Sequence, residues 1–202
     1  MAAKRETTPS TNPFCTRRVR PGALPFIFPP GENAETLVRR LRENGWWGEI
    51  VGEHGAGKSA LLVALVPAIH RAGRKTLLVE LHDAQRRLPL DLDGQCRLNP
   101  FDLLIVDGYE QLSRWNRFRL KRLCRRRGWG LLVAVHASVG LPILYRVVAT
   151  GELAAEIVDR LMAGQAPPFD AAELAGCFAR HRGNLRETLF DLYDLYEKRR
   201  PR

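Results

Sequence analysis

The sequence predicts an α/β fold: a parallel β-sheet with helices on both faces, followed by a small helical tail. Three observations predict it. Short, continuous apolar runs alternate with longer segments of helical periodicity, the pattern of strands buried on both faces. A glycine-rich segment, Gly52–Ser59, joins an apolar run to a helical one. Another apolar run ends abruptly in an acid, Asp107.

The elements follow in order. Residues 1–30 are rich in Pro, Thr and Arg and lack periodicity, so they are expected to form a flexible or wrapping basic arm. Ala34, Leu37, Val38 and Leu41 at helical spacing predict a helix over Asn33–Glu43. Trp46–Val51 reads as a strand and Gly57–Ala72 as a helix, with Pro67 as a place for a kink or an early end. Lys75–Leu81 is a strand, 83–100 a long irregular loop, Phe101–Asp107 a strand and Gln111–Arg127 a strongly basic helix. Leu131–His136 is a further apolar run, and Pro142–Ala149 has room for another. Glu152–Met162, Ala171–His181 and Leu185–Arg199 read as helices, a small lid over 151–202 beside a core over 31–150.

Composition bounds the function. The chain has 202 residues, 45% of them hydrophobic, which is enough for a real core and excludes a disordered or collagen-like chain. Its longest apolar runs, Leu61–Ile69 and Leu131–Val135, fall far short of a bilayer span, and no apolar signal core follows Met1. A soluble, cytoplasmic protein is expected, with no membrane partner. Cys15, Cys96, Cys124 and Cys177 are widely spaced with no CxxC pair, which fits neither a zinc ribbon nor a disulfide scaffold.

Gly52-Glu53-His54-Gly55-Ala56-Gly57-Lys58-Ser59 fits G-x-x-x-x-G-K-[ST] in full. Such a loop turns tightly so that successive backbone N–H groups point at phosphates. Glycines permit the angles and clear side chains from the anion's path. The N-terminus of the following helix adds its partial positive charge. Lys58 is placed to reach the β- and γ-phosphates and the Ser59 hydroxyl to ligand Mg²⁺. Residues Gly52 to Ala60 are therefore the candidate nucleotide-binding segment, with ATP and Mg²⁺ as expected cofactors. No N-K-x-D segment of the guanine-reading kind occurs.

Leu103-Leu104-Ile105-Val106-Asp107 is an apolar strand ending in an acid 49 residues beyond Lys58. Given the loop, Asp107 is the candidate for the Mg²⁺ shell, at the carboxyl end of a strand where open α/β sheets bind ligands. The strand Leu131–Val135 ends in His136. This resembles one large branch of P-loop ATPases, whose extra strand ends in a polar residue that touches the γ-phosphate or the attacking water. The resemblance would give that role to His136, with Ser138 as a fallback, while the plainer reading is a histidine that caps a turn. Arg186, in Gly183-Asn184-Leu185-Arg186-Glu187, could reach the phosphates from the lid. The same segment also reads as a helix start capped by Asn184 and Glu187, and both can hold. Hydrolysis needs a group that activates water. Gly108 stands directly after Asp107, so the candidates are Glu110, Glu80 and His136, with Glu110 favoured narrowly. Arg146 and Arg160 are positional guesses for an arginine finger.

On Gly52–Ser59, Leu103–Asp107, Leu131–His136 and Gly183–Arg186, the chain resembles the AAA+ branch of P-loop ATPases, in particular the initiator, clamp-loader and transposition-helper types. The resemblance implies a P-loop NTPase core with strand order 5-1-4-3-2 and a helical lid. In those terms the segments are Walker A, Walker B, sensor 1 and sensor 2. Gly108 departs from the usual Glu of that family and His136 from its usual Asn or Thr.

Charge points to a partner. The net charge is +10, but residues 111–128 alone carry +8, residues 1–20 carry +4 and Glu197–Arg202 carry +3, leaving the rest mildly acidic. The helix from Arg114 to Arg127 is a candidate surface for DNA or RNA phosphates, with Trp115 counted in its buried stripe alongside Leu112, Leu120 and Leu123. An acidic protein or a neighbouring subunit in a homo-oligomer would fit the same surface. The function expected is an ATP-binding protein, an Mg²⁺-dependent ATPase or ATP-driven switch acting on nucleic acid. The alternatives are a P-loop small-molecule or nucleotide kinase, with Arg86 and Arg87 as lid arginines, and a nucleotide-dependent scaffold that does not hydrolyse.

Overall fold

The computed structural model describes residues 12–20, 23–82, 85–88 and 91–199. In chain order these form α1 (Thr16–Val19), α2 (Ala34–Glu43), β1 (Trp47–Val51), α3 (Lys58–Arg71), β2 (Thr76–Glu80), α4 (Leu92–Leu98) and β3 (Leu103–Asp107). A single 3₁₀ turn, Tyr109–Gln111, precedes α5 (Arg114–Arg127), β4 (Gly130–Val135), β5 (Ile143–Arg146), α6 (Gly151–Met162), α7 (Ala171–Arg180) and α8 (Leu185–Arg199). The chain divides into two compact units, Pro25–Val148, and Met1–Leu24 with Ala149–Arg202.

The first unit is an α/β layer structure. Its sheet runs in the order β2-β3-β4-β1-β5, and every pairing is parallel. The central strands are buried throughout: Leu103–Val106 and Leu131–Val135 are fully shielded. Side chains alternate across a sheet. Leu104, Val106, Leu131, Val133 and Val135 therefore join Leu112, Leu120 and Cys124 in one apolar cluster. The residues between them, Leu103, Ile105 and Leu132, turn to the other face, where α3 packs on β3 and β4. Helix α2 starts because the Asn33 side chain accepts a hydrogen bond from Thr36 N at 2.8 Å, and it buries Leu37, Val38 and Leu41.

One expectation changes here. The loop expected over 83–100 contains α4, whose Leu92 is buried in the same cluster. One apolar anchor is too short a signal for a helical period to show in sequence. Helix α3 does not end at Pro67 but continues to Arg71.

The second unit is helical. Phe14, Ala154, Val158, Leu161, Leu174, Leu185 and Leu192 share its core. Of the arm expected over 1–30, residues 1–11 and 21–22 lie outside the described residues. Asn12 and Phe14 are buried: the Asn12 amide donates to Tyr193 O and Glu197 Oε1, and the Phe14 ring lies 5.8 Å from Phe169 and 6.0 Å from Tyr196. This part of the chain packs on α8, because one aromatic residue supplies enough apolar surface to anchor a short segment that has no periodicity of its own. Lys4 and Arg5 at the start and Arg200 and Arg202 at the end, counted in the basic tails, lie outside the described residues. No helix among the described residues is long and apolar enough to cross a membrane.

Candidate functional site

The adjacent strands β3, β4 and β1 bring their carboxyl ends to one edge of the sheet, where Asp107, His136 and the loop 52–57 emerge. Val51 pairs with Val135, and Gly52 N donates to Val135 O at 3.2 Å, so the loop starts directly beside the strand that carries His136. A Cβ on Gly52 would lie 2.6 Å from Val147 O, so this close approach admits no side chain. Gly57 caps α3 with φ +109°, a left-handed angle. The loop thus closes tightly onto the first turn of α3, which begins at Lys58.

Lys58 is buried and its Nζ donates to Gly52 O at 2.6 Å and Glu53 O at 2.8 Å, folding the ammonium across the loop. Ser59 and Ala60 follow it in the first turn, both half-buried, and Ala56 is buried. Glu53, His54 and Gly55 form the outer rim of the loop.

His136 is the hub of the cluster. Its Nδ1 lies 2.8 Å from Glu110 Oε1, and its ring sits 3.4 Å from the His54 ring, centroid to centroid. Burial, the Lys58 ammonium and His54 lower its pKa from the ordinary 6.5, opposed by Glu110 and Glu53. The imidazole is therefore neutral at neutral pH. A carboxylate only accepts, so Nδ1 carries the proton and Nε2 is left as an acceptor. The second oxygen of Glu110, Oε2, is buried without a hydrogen-bond partner among the described residues. That oxygen has an acceptor site left over for a water or a ligand hydroxyl.

Glu110 reaches His136 because of how β3 ends. Gly108 has φ +72°, and a Cβ there would meet Leu81 O at 2.6 Å. The turn excludes a side chain at the position after Asp107 and delivers the next acid from the 3₁₀ turn instead. Asp107 itself is half-buried and pairs in register with Glu80, which is exposed at the end of the edge strand β2. Ser138 Oγ accepts from Gly140 N at 3.4 Å, a turn contact. Arg186 is exposed on α8 in the helical unit, and Asn184 Oδ1 accepts from Glu187 N at 3.2 Å, which is the Asn184 half of the expected cap. Arg146 is exposed on β5, and Arg160 pairs with Glu156 at 2.7 Å on its own helix.

Helix α5 holds this site from behind, a role its composition did not announce. Arg117 Nη2 donates to Glu110 O at 2.6 Å and Nε to Leu112 O at 2.8 Å. Lys121 Nζ donates to Val139 O at 3.2 Å, just beyond His136. Val139 N and Leu141 N in turn donate to Oε2 of Glu49, a fully buried acid in β1. Two of the eight cations assigned to an outer surface thus face inward. Of the expected stripe, Leu112 and Leu120 are buried and Leu123 packs against the same cluster, but Trp115 does not join them. Leu120 and Cys124 are buried with Arg117 and Lys121 beside them, whereas Trp115 is 65% exposed. Positions 117, 120, 121 and 124 share one face at helical spacing, and Trp115 lies opposite. The Trp115 expectation was wrong because an arginine stem with a paired head can sit on a core face as readily as an apolar ring.

No protein-family model and no curated protein matches the sequence. Among solved structures, the chain is similar to the replication initiator DnaA bound to AMPPCP and single-stranded DNA, and to AMPPCP-bound DnaA from Aquifex aeolicus. Each is 16% identical with a TM-score of 0.52, over 83% of this chain and 61% of theirs. The chain thus spans about three-fifths of those proteins and shares their fold.

Proposed function

We propose that the α/β unit binds ATP with Mg²⁺ at Gly52–Ser59 and serves as an AAA+-like, P-loop ATPase or ATP-driven switch that acts on nucleic acid. The observation that carries this reading is the assembly of Lys58 at the start of α3, Glu110 in the 3₁₀ turn after β3 and His136 just past β4, at the mouth of a glycine-lined loop. The strand order β2-β3-β4-β1-β5, which places β4 between β1 and β3, supports the same reading. So does the fold shared with DnaA structures that hold AMPPCP.

The residues fit the ligand. Gly52 allows no side chain into the loop, and an anion at the start of α3 would meet the positive end of the helix dipole. Lys58 would leave its backbone carbonyls for the β- and γ-phosphates, with the amides of Glu53 to Ala60 around them. Ser59 and Asp107 would hold Mg²⁺, which would supply charge neutralisation to the phosphate oxygens. Glu110 Oε2 takes the proton of the attacking water, and His136 fixes Glu110 by donating from Nδ1. Arg186 is the candidate to stimulate turnover from the helical unit.

The decisive experiment is calorimetric titration with ATP and Mg²⁺, paired with phosphate release. Binding that is lost in folded Lys58→Ala supports the site; unchanged affinity there overturns it. Gly108 favours one second reading, ATP binding without turnover, since the turn bars an acid next to Asp107. Tight binding with no phosphate release, in wild type and Glu110→Gln alike, would establish that reading instead.

A further inference from the structure

We propose that the outer face of α5 and the segment facing it form a binding cleft for an unpaired polynucleotide strand, with Trp115 as the platform on which a base stacks. This deepens the nucleic-acid reading given above and rests on it.

The cleft has a volume of about 860 Å³ and lies between α5 and residues 86–88 and 91–92. From the helix it is lined by Trp115, Arg119, Arg122 and Arg126, and from the other side by Arg86 and Arg87. Helical spacing sets the first four in one row along about 16 Å of helix. Asp91 is the one acid among its described lining residues. The two walls are tied together: Asn116 Nδ2 donates to Arg86 O at 2.6 Å, and Ser113 N to the same oxygen at 3.4 Å. Five guanidinium groups therefore converge on a groove that is held in shape by neutral contacts. The inward cations Arg117 and Lys121 are engaged with backbone carbonyls, which divides α5 into a structural face and a charged outer face.

Charge alone would suit any polyanion; the aromatics narrow the choice. Trp115 is 65% exposed and Phe118 55%, and their rings stack 5.8 Å apart at 25°. Neither ring joins the apolar cluster that α5 buries. A flat aromatic pair beside a row of arginines matches a strand whose bases are free to stack and whose phosphates run alongside. In a duplex the base faces are already stacked on each other, leaving only backbone for Trp115 to meet. An acidic polypeptide would satisfy the arginines and leave the rings in water.

The test uses the full chain without nucleotide. Fluorescence anisotropy would compare a short labelled oligothymidylate with a hairpin duplex of equal length, and poly-glutamate as competitor. The single strand should bind more tightly than the duplex. Trp115→Ala should weaken single-strand binding about 10- to 100-fold, with Trp115→Phe restoring most of it and the salt slope unchanged. Arg122→Ala should flatten the salt slope by about 0.7. Lys58→Ala should bind the strand as wild type does, which separates this site from the nucleotide site. Equal binding of duplex and single strand, indifferent to Trp115→Ala, overturns the single-strand inference alone. Binding to neither nucleic acid, or displacement by poly-glutamate at equal charge concentration, overturns the nucleic-acid reading with it.

Discussion

At the scale of single residues, the site depends on a few positions where one atom more or less changes the chemistry. Lys58 is the clearest. Its ammonium is buried against two carbonyls, and removing it takes the compact positive charge from the loop. Lys58→Ala is expected to weaken ATP binding at least 100-fold in calorimetry, with the fold intact by circular dichroism. Gly108 is the second. Left-handed φ and a Cβ placed 2.6 Å from Leu81 O mean that Gly108→Ala should cost about 1–3 kcal/mol in urea unfolding. A stability equal to wild type would show that the turn adapts. His136 is the third. Burial and Lys58 hold its pKa below 6.5, so the folded site resists protonation and the unfolded chain takes the proton first. Stability is then fully present above about 6.5 and declines as pH falls toward the folded value. An NMR titration midpoint for His136 below 6.5 is the expected result, and one above it would contradict the environment described.

At the scale of elements, α5 works on two sides. Its inner face carries guanidinium and ammonium groups bonded to the carbonyls that flank Glu110 and His136, while its outer face carries cations turned to solvent. Arg117→Ala should lower stability by about 1–3 kcal/mol in denaturant, since it strands two carbonyls, whereas Arg119→Ala should change it by less than about 0.5 kcal/mol. Equal effects would mean that the two faces are not distinct. Cys124 on the inner face has its thiol pushed up to about 12 by burial, so it acts as a small apolar residue rather than a reactive one.

At the scale of the whole molecule, the chain builds two cores, and the segment before the sheet contributes to the helical one. Phe14 is fully buried between Phe169 and Tyr196. Phe14→Ala should destabilise the helical unit by about 3–5 kcal/mol, read as an earlier unfolding transition in calorimetry. The α8 end is further held by Arg199 pairing with Glu173, whose carboxyl that guanidinium and the Asp170 amide draw down to about 2. That contact is exposed and sensitive to salt, so Phe14 dominates.

The sequence by itself determined the parts whose signal is local. Apolar runs alternating with helices specify a layered α/β unit, and G-x-x-x-x-G-K-S between strand and helix specifies a tight loop closing onto a helix, because backbone angles and spacing are encoded in neighbouring residues. Only the tertiary structure decided the parts that depend on what lies across space. The pairing of Glu110 with His136 required the turn at Gly108. The inward turn of Arg117 and Lys121 required carbonyls that arrive from other loops. Trp115 reads as core on a helical wheel, yet lies outside, because a wheel knows the angle between residues but not which side of the helix meets the sheet. Phe14 reads as part of a flexible or wrapping arm, and nothing within a few residues of it reveals the helices that bury it.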